Sequence, residues 1–355
     1  DVLLASCNEG VVEIDLNEKK SHLVFSKDSS VNKLSSFNQV SLAYPGTGNY
    51  YWLATGKGIV LLNKFNGRAS LFGANESNDK TLSHNNIISI YENNAGIVWV
   101  GTRNGLNRID KVKNNFETIR FVSGDNQSYL NVSALTSAQD NKLWIGFSNG
   151  ISLYDNSSGQ YQTFTKNNSL LSSNYILSIL NDSRGDIWIG TRAGGLSKVR
   201  DGSDRIESVA GTPATVHAIF EDKQGKIWLG TALEGLVMFD PGNDSLKRYP
   251  HNLDGSGPSH PFVFSILEDS KGNFWIGTAN GGLNLFDRQS GEFIYFRNEE
   301  ENPKSLSNEM VLCIHEDINE RLWVGTAGRL NKLDIPIEEN MSGKIKSGKI
   351  TPGFT

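Results

Sequence analysis

The sequence predicts an all-β chain, a single β-propeller of four-stranded antiparallel blades spanning residues 1–355. Three observations predict it. A motif built on Trp recurs at intervals of 40–48 residues, at Trp52, Trp99, Trp144, Trp188, Trp228, Trp275 and Trp323, and these are all seven Trp of the chain. Each copy lies among apolar runs of strand length that are broken by polar turns containing Gly. No stretch sustains a 3.6-residue apolar period, so no helix is expected. A repeat of this length with four strands is the signature of a propeller blade.

The first strand of each unit lies ahead of its Trp, as in IISIYEN at 87–93 and VFSILED at 263–269. Its pattern is a branched residue (Ile87, Val216, Val263), a small one two positions on (Ser89, Ala218, Ser265), then an apolar one (Ile90, Ile219, Ile266). Crowding on both sides demands that pattern, which places this strand innermost, where blades converge. A Gly turn such as SRGD or SKGN leads into the second strand, the Trp segment itself. The third follows the glycine of a T-x-x-G turn, as in LNRID and LNLFD. The fourth is outermost and aromatic, as in FETIRF and FIYFRN. One large ring per blade fills the wedge between adjacent sheets, so the Trp residues are read as core.

The hairpins favour eight blades over seven. A degenerate eighth copy, LASCNEGV from Leu4, stands 48 residues ahead of Trp52. Eight blades give every second- and third-strand hairpin a place but leave the first blade without an inner strand. Seven blades match the seven first strands. Residues 336–355 are read as a tail or an outer closing strand. Cys7 and Cys313 cannot make a disulfide framework or a four-ligand zinc site. They are read as two separate thiols, which a seven-blade closure would bring together.

Composition narrows the function. The chain has a net charge of −5 and no Lys/Arg run, which argues against nucleic-acid binding and against docking on anionic membranes. No apolar stretch approaches the length of a spanning helix, and no signal peptide opens the chain. The acid pairs Glu221-Asp222, Glu268-Asp269 and Glu316-Asp317 recur at one blade position, which marks a turn device and not a catalytic pair. The six His show no metal-ligand spacing. His251 and His260 share one long linker, read as a solvated loop. No catalytic residue, cofactor or metal is expected.

The units resemble the two-component regulator propeller repeat. SILEDSKGNFWIGTANGGLNLFD at 265–287 matches its usual form nearly throughout, and NPKSLSNEM at 302–310 matches its usual linker. Departures stand at Leu4, at Phe147 in place of Thr, and at Arg329 in place of Gly. The resemblance implies an extracytoplasmic or periplasmic sensor segment of a bacterial, often hybrid, histidine kinase responding to glycans. Its partners would be a carbohydrate or other small ligand, the other domains of the kinase chain, and a second copy in a dimer. The alternatives are a glycan-active lyase or hydrolase, for which Glu234 is a lone off-repeat acid, and a scaffold for protein–protein contacts.

The T-x-x-G turns and the linkers leading into the first strands emerge on one side of a four-stranded antiparallel blade. The turns carry Lys57, Arg103, Asn104, Asn149, Arg192, Glu234, Asn280 and Arg329. The linkers carry Asn86, Tyr175, Phe262 and Met310. Cations outnumber acids there, so a carbohydrate bound by Arg and Asn hydrogen bonds with aromatic stacking is expected on that face.

Overall fold

Seven strands each open a sheet, six of them with the branched–small–apolar pattern and the first with Leu42 at the small position: Val40–Pro45, Ile87–Glu92, Val132–Ser137, Ile176–Asn181, Val216–Glu221, Val263–Glu268 and Val311–Glu316. The computed structural model describes residues 2–7, 10–15, 20–26, 40–45, 50–63, 69–75, 81–92, 97–110, 115–119, 131–317 and 319–355. The chain forms two compact units, residues 1–134 with 147–149 and residues 135–146 with 150–355. Blades one to six (40–72, 87–119, 132–164, 176–209, 216–249 and 263–296) are four-stranded antiparallel sheets in sequence order.

The expected count of eight is corrected to seven. Val2–Cys7, Gly10–Asp15 and Lys20–Ser26 form a three-stranded sheet in which Cys7 pairs with Gly10 just as Thr55 pairs with Gly58 in blade one. They therefore match second, third and outer strands, and no inner strand joins them among the described residues. Only inner strands converge, so they set the blade number. The result is a seven-bladed all-β propeller with three or four strands per sheet. Cys313 is a free, exposed thiol. The side chain of Cys7 lies outside the described residues.

Blade seven resolves the fate of the tail. Its three strands end at Leu330–Lys332, and residues 353–355 pair antiparallel with 332–334 through the Leu333–Phe354 bridge. The bonds are Lys332 N to Thr355 O (2.8 Å), Thr355 N to Lys332 O (2.9 Å) and Asp334 N to Gly353 O (2.9 Å). The outer pairing is thus much shorter than the tail. Met341–Lys346 is a helix, capped by the Asn340 side chain on the Gly343 amide, a helix that the apolar period did not signal. Met341 and Phe354 are buried against Trp275, Leu322 and Leu333, which anchors the tail.

The repeat pattern has a direct packing cause. The small inner-strand residue pairs with the motif glycine of the second strand: Ser89 with Gly101, Ser178 with Gly190, Ala218 with Gly230, Ser265 with Gly277, Cys313 with Gly325. The branched residue of the next blade lies over the same glycine, as Val216 does at Gly190 and Val311 at Gly277. Each Trp then fills the wedge toward the next blade. Trp188 packs with Val216, Ile227 and Leu229, and Trp275 with Val311, Leu322 and Val324. All seven Trp are buried, as the sequence required.

The recurrent acids divide the remaining work. The Asp caps its own blade: Trp188, Trp228, Trp275 and Trp323 donate their indole N–H to Asp182, Asp222, Asp269 and Asp317 at 2.9, 2.7, 2.8 and 2.8 Å. The other carboxylate oxygen takes two amides of the following turn, as Asp222 does from Gln224 and Lys226. The Glu reaches the preceding blade. Glu221 accepts the Ser183 amide and hydroxyl, both at 2.7 Å, and Glu268 accepts the Lys223 amide at 2.9 Å. Glu316 accepts the Ser270 amide and hydroxyl at 2.6 and 2.5 Å. These acids hold the blades together.

Two capping acids of the same design titrate in opposite directions. Burial pushes the Asp269 carboxyl up, beyond what the bonds from Trp275 and Asn273 restore. At Asp317 burial also acts upward, but the Trp323 indole, the Arg321 and Asn319 amides and the Arg321 charge outweigh it and hold the group down. A lowered folded pKa stabilises above the unfolded value and loses that contribution as pH falls through the folded value. A raised one stabilises below the unfolded value and loses its contribution as pH rises through the folded value. The Trp275 indole resonance should therefore respond to acid at higher pH than that of Trp323. Coincident midpoints in an NMR titration would contradict this assignment.

Candidate functional site

The turn between second and third strands comes in two lengths. In the short form the Thr hydroxyl donates to the carbonyl three residues on, from Thr55 to Gly58 and from Thr102 to Gly105. In the long form it donates four residues on, from Thr191 to Gly195, Thr231 to Gly235 and Thr278 to Gly282. Thr326 keeps the short form with the Arg329 carbonyl, so Arg329 replaces glycine without loss of the turn. Phe147, in the Thr position, is fully buried instead.

Main-chain bonds pin each turn to the linkers. The residue after the Thr donates to the carbonyl ahead of its own inner strand: Arg103 to Asn86 (3.1 Å), Arg192 to Tyr175 (2.9 Å), Ala279 to Phe262 (3.0 Å) and Ala327 to Met310 (2.9 Å). The turn glycine donates to the linker of the following blade: Gly150 to Asn174, Gly195 to Ala214, Gly235 to Pro261 and Gly282 to Glu309, at 2.7–3.0 Å. Turns and linkers therefore share one end of the blades, as expected from the alternation of antiparallel strands.

Inner strands carry a bulge near that end. The register shifts between Ile87 and Ser89, Ile176 and Ser178, Val216 and Ala218, Val263 and Ser265, and Val311 and Cys313. The extra residue of a bulge is unpaired and its side chain is re-aimed. Those residues are Ile88, Leu177, His217, Phe264 and Leu312.

In the larger unit these features assemble an aromatic–cationic cluster. The Arg192 guanidinium lies 5.5 Å from the Tyr175 ring centre. His217 stands 4.5 Å from Phe262 and 6.1 Å from Phe264, with the two Phe rings 4.5 Å apart. Burial, and then the nearby Arg192 charge, hold the His217 imidazole below its usual range. It is neutral at pH 7 and free to act as donor and acceptor.

Three of the sequence-predicted residues, Tyr175, Arg192 and Phe262, are thus brought together. Asn280 and Arg329 are exposed on their own turns. Glu234 turns toward its blade's outer strand and pairs with Arg248 at 3.4 Å, which removes it from the cluster. In the smaller unit Lys57, Arg103 and Asn149 are exposed, while the Asn104 amide donates to the Ser83 carbonyl. His217 and Phe264 were not singled out from the sequence. Their signal is positional: both stand between the branched and the small inner-strand residues, where an unbroken strand gives no reason to expect an outward-aimed ring. His251 and His260 sit 6.4 Å apart, with His251 Nδ1 on the Pro258 carbonyl. Among the described residues no group of three or more His, Cys, Asp or Glu is placed to hold a metal.

Seven inner strands, glycine-bearing turns and wedge Trp residues define a β-propeller. Five stretches, 81–104, 170–193, 211–232, 256–280 and 305–328, match the profile of the two component regulator propeller family. Those five stretches carry the repeat of that family. Among solved structures, it is similar to an extracellular domain attributed to the hybrid two component system BT3049 of B. thetaiotaomicron, at 24% identity and a TM-score of 0.64 over 83% of this chain and 40% of that one. It is also similar to an extracellular domain attributed to the one component system BT4673 of the same organism, at 20% identity and a TM-score of 0.61 over 82% and 37%. The chain spans about two fifths of the length of these domains. Virginiamycin B lyase of Staphylococcus aureus shares the fold at 14% identity and a TM-score of 0.56, over 82% of this chain and 92% of the lyase. No curated protein matches the chain. Among the described residues no helix is long and apolar enough to cross a membrane.

Proposed function

We propose that the chain is a non-catalytic, extracytoplasmic sensor propeller of a one- or two-component signalling system, and that its turn face takes a carbohydrate at Tyr175, Arg192, His217, Phe262 and Phe264. The observation that carries this reading is the convergence, across three successive blades, of a cation, a neutral imidazole and three aromatic rings on turns and bulges. Such a surface supplies directed hydrogen bonds and apolar ring faces, the two requirements of sugar recognition. The recurrent carboxylates, which a glycan-cleaving enzyme would need free, are engaged in capping and inter-blade bonds. The family and the origin of the similar ectodomains support the sensor role and a position outside the cytoplasm. They also support other domains of a kinase chain as partners.

A glycan array followed by calorimetry tests this. Arg192→Ala and Phe262→Ala should each weaken the best glycan about tenfold or more, as loss of a charged or aromatic anchor does. Arg329→Ala, on the blade-seven turn and outside the cluster, should leave affinity unchanged. Unchanged affinity in both cluster variants would remove the site from this face.

A further inference from the structure

Blade three lacks the capping acid of blades four to seven, as do blades one and two, whose sequences have Gly46 and Asn93 at that position. In blades four to seven an Asp six positions ahead of the Trp accepts the indole N–H. In blade three that position is Ala138, and among the described residues the Trp144 indole N–H meets no acceptor. The ring is only 2% exposed. A cleft of about 350 Å³ opens here, at the end of the sheets opposite the Thr turns, lined by Ala138, Trp144 and Leu153 and by the 185–204 side of blade four. The space that a capping carboxylate occupies in blades four to seven is therefore open beside an indole N–H without an acceptor.

The mouth has the opposite chemistry. Asp140, Asp201 and Asp204 line it, all exposed. Two cations line the cleft as well, Lys142 and Arg200, of which Arg200 pairs with Glu207 at 3.5 Å. A ligand that fills this cleft must accept a hydrogen bond at the floor and donate several at the mouth. An ammonium cannot accept from the indole, and a carboxylate cannot donate to the acids. A hydroxyl does both.

We propose that this cleft is a second binding site, for a neutral polyol of monosaccharide size, with one hydroxyl oxygen accepting from Trp144 and neighbouring hydroxyls donating to Asp140, Asp201 or Asp204. The volume lies at the lower end of the range of small-ligand pockets, which suits one sugar ring and not a chain. The site is independent of the turn face and stands or falls separately from it.

The test follows the indole resonances of the whole ¹⁵N-labelled chain, with Trp144 assigned through Trp144→Phe. The probes are D-xylose, D-glucose and D-galactose at millimolar concentration, with D-glucuronate and ethanolamine as charged comparisons. The Trp144 resonance should shift saturably with at least one neutral sugar while the other indoles stay still. Ala138→Asp, which installs the cap that four other blades carry, should abolish the shift. Asp140→Ala and Asp204→Ala, both at exposed positions, should together weaken the sugar about tenfold, as the loss of a charge-assisted hydrogen bond does. They serve as the readout if Ala138→Asp does not fold. The proposal is overturned if no neutral sugar moves Trp144, if the shift persists in folded Ala138→Asp, if affinity is unchanged in the double Asp variant, or if only glucuronate or ethanolamine binds.

Discussion

Asp269→Ala should destabilise the protein by about 3 kcal/mol, the cost of leaving several buried donors without an acceptor. Its side chain is fully buried and accepts four hydrogen bonds from the protein: the Trp275 indole at 2.8 Å, the Asn273 side chain at 2.8 Å, and the Lys271 and Asn273 amides at 3.0 and 2.8 Å. No rearrangement of the turn supplies another acceptor, because the Asn273 side chain also bonds the Glu338 carbonyl and the Met341 amide. The lesion should therefore spread to the C-terminal helix. Thermal unfolding followed by circular dichroism should show a Tm lowered by several degrees, and hydrogen exchange should rise across 338–346. Asp254→Ala, at an exposed turn, should cost under about 1 kcal/mol. Equal losses in the two variants would show that the capping bonds contribute little.

Gly277→Ala should cost about 2–3 kcal/mol by overpacking. A methyl group there would collide with the Ser265 hydroxyl and stand 2.6 Å from Val311 Cγ1, so the inner strands of blades six and seven would have to part. The companion change Ser265→Ala should be nearly neutral. The Ser265 hydroxyl is buried without a partner, and blade five carries Ala218 at the same position. Size and not hydrogen bonding is what this position selects. Denaturant unfolding of the two variants checks the claim; a costly Ser265→Ala with a tolerated Gly277→Ala would reverse it.

The parts of the fold that were legible in the sequence are those in which each blade repeats the same local solution. Trp in the wedge recurs in all seven blades, the branched–small–apolar inner strand in blades two to seven, and the acid ahead of the Gly turn in blades four to seven. The blade number was harder, because hairpins were counted where inner strands decide. Turn length was legible but was not used: T-R-N-G at 102–105 and T-A-N-G-G at 278–282 differ by one residue, and the Thr bond follows the difference. The helix at Met341–Lys346 has no apolar period because its stability is tertiary, with Met341 buried beside Trp275 and its amide on Asn273. Tyr175, Arg192 and Phe262 were legible one blade at a time. Their proximity to His217 and Phe264 depends on bulges, which no periodicity reveals. Glu234 failed as a candidate because its Arg248 partner lies on the outer strand, a contact that repeat alignment cannot supply.

Ala138 also bears on how a chain of copies acquires novelty. In a protein with one copy of each part, losing a buried carboxylate partner costs stability with nothing alongside to offset it. Here four blades carry the motif, and a copy without it can vary. Where blade three has Ala138, a donor, a hollow and a rim of surface acids stand together. In a repeat protein the place to look for a new site is the copy that lacks a bond most of the others make.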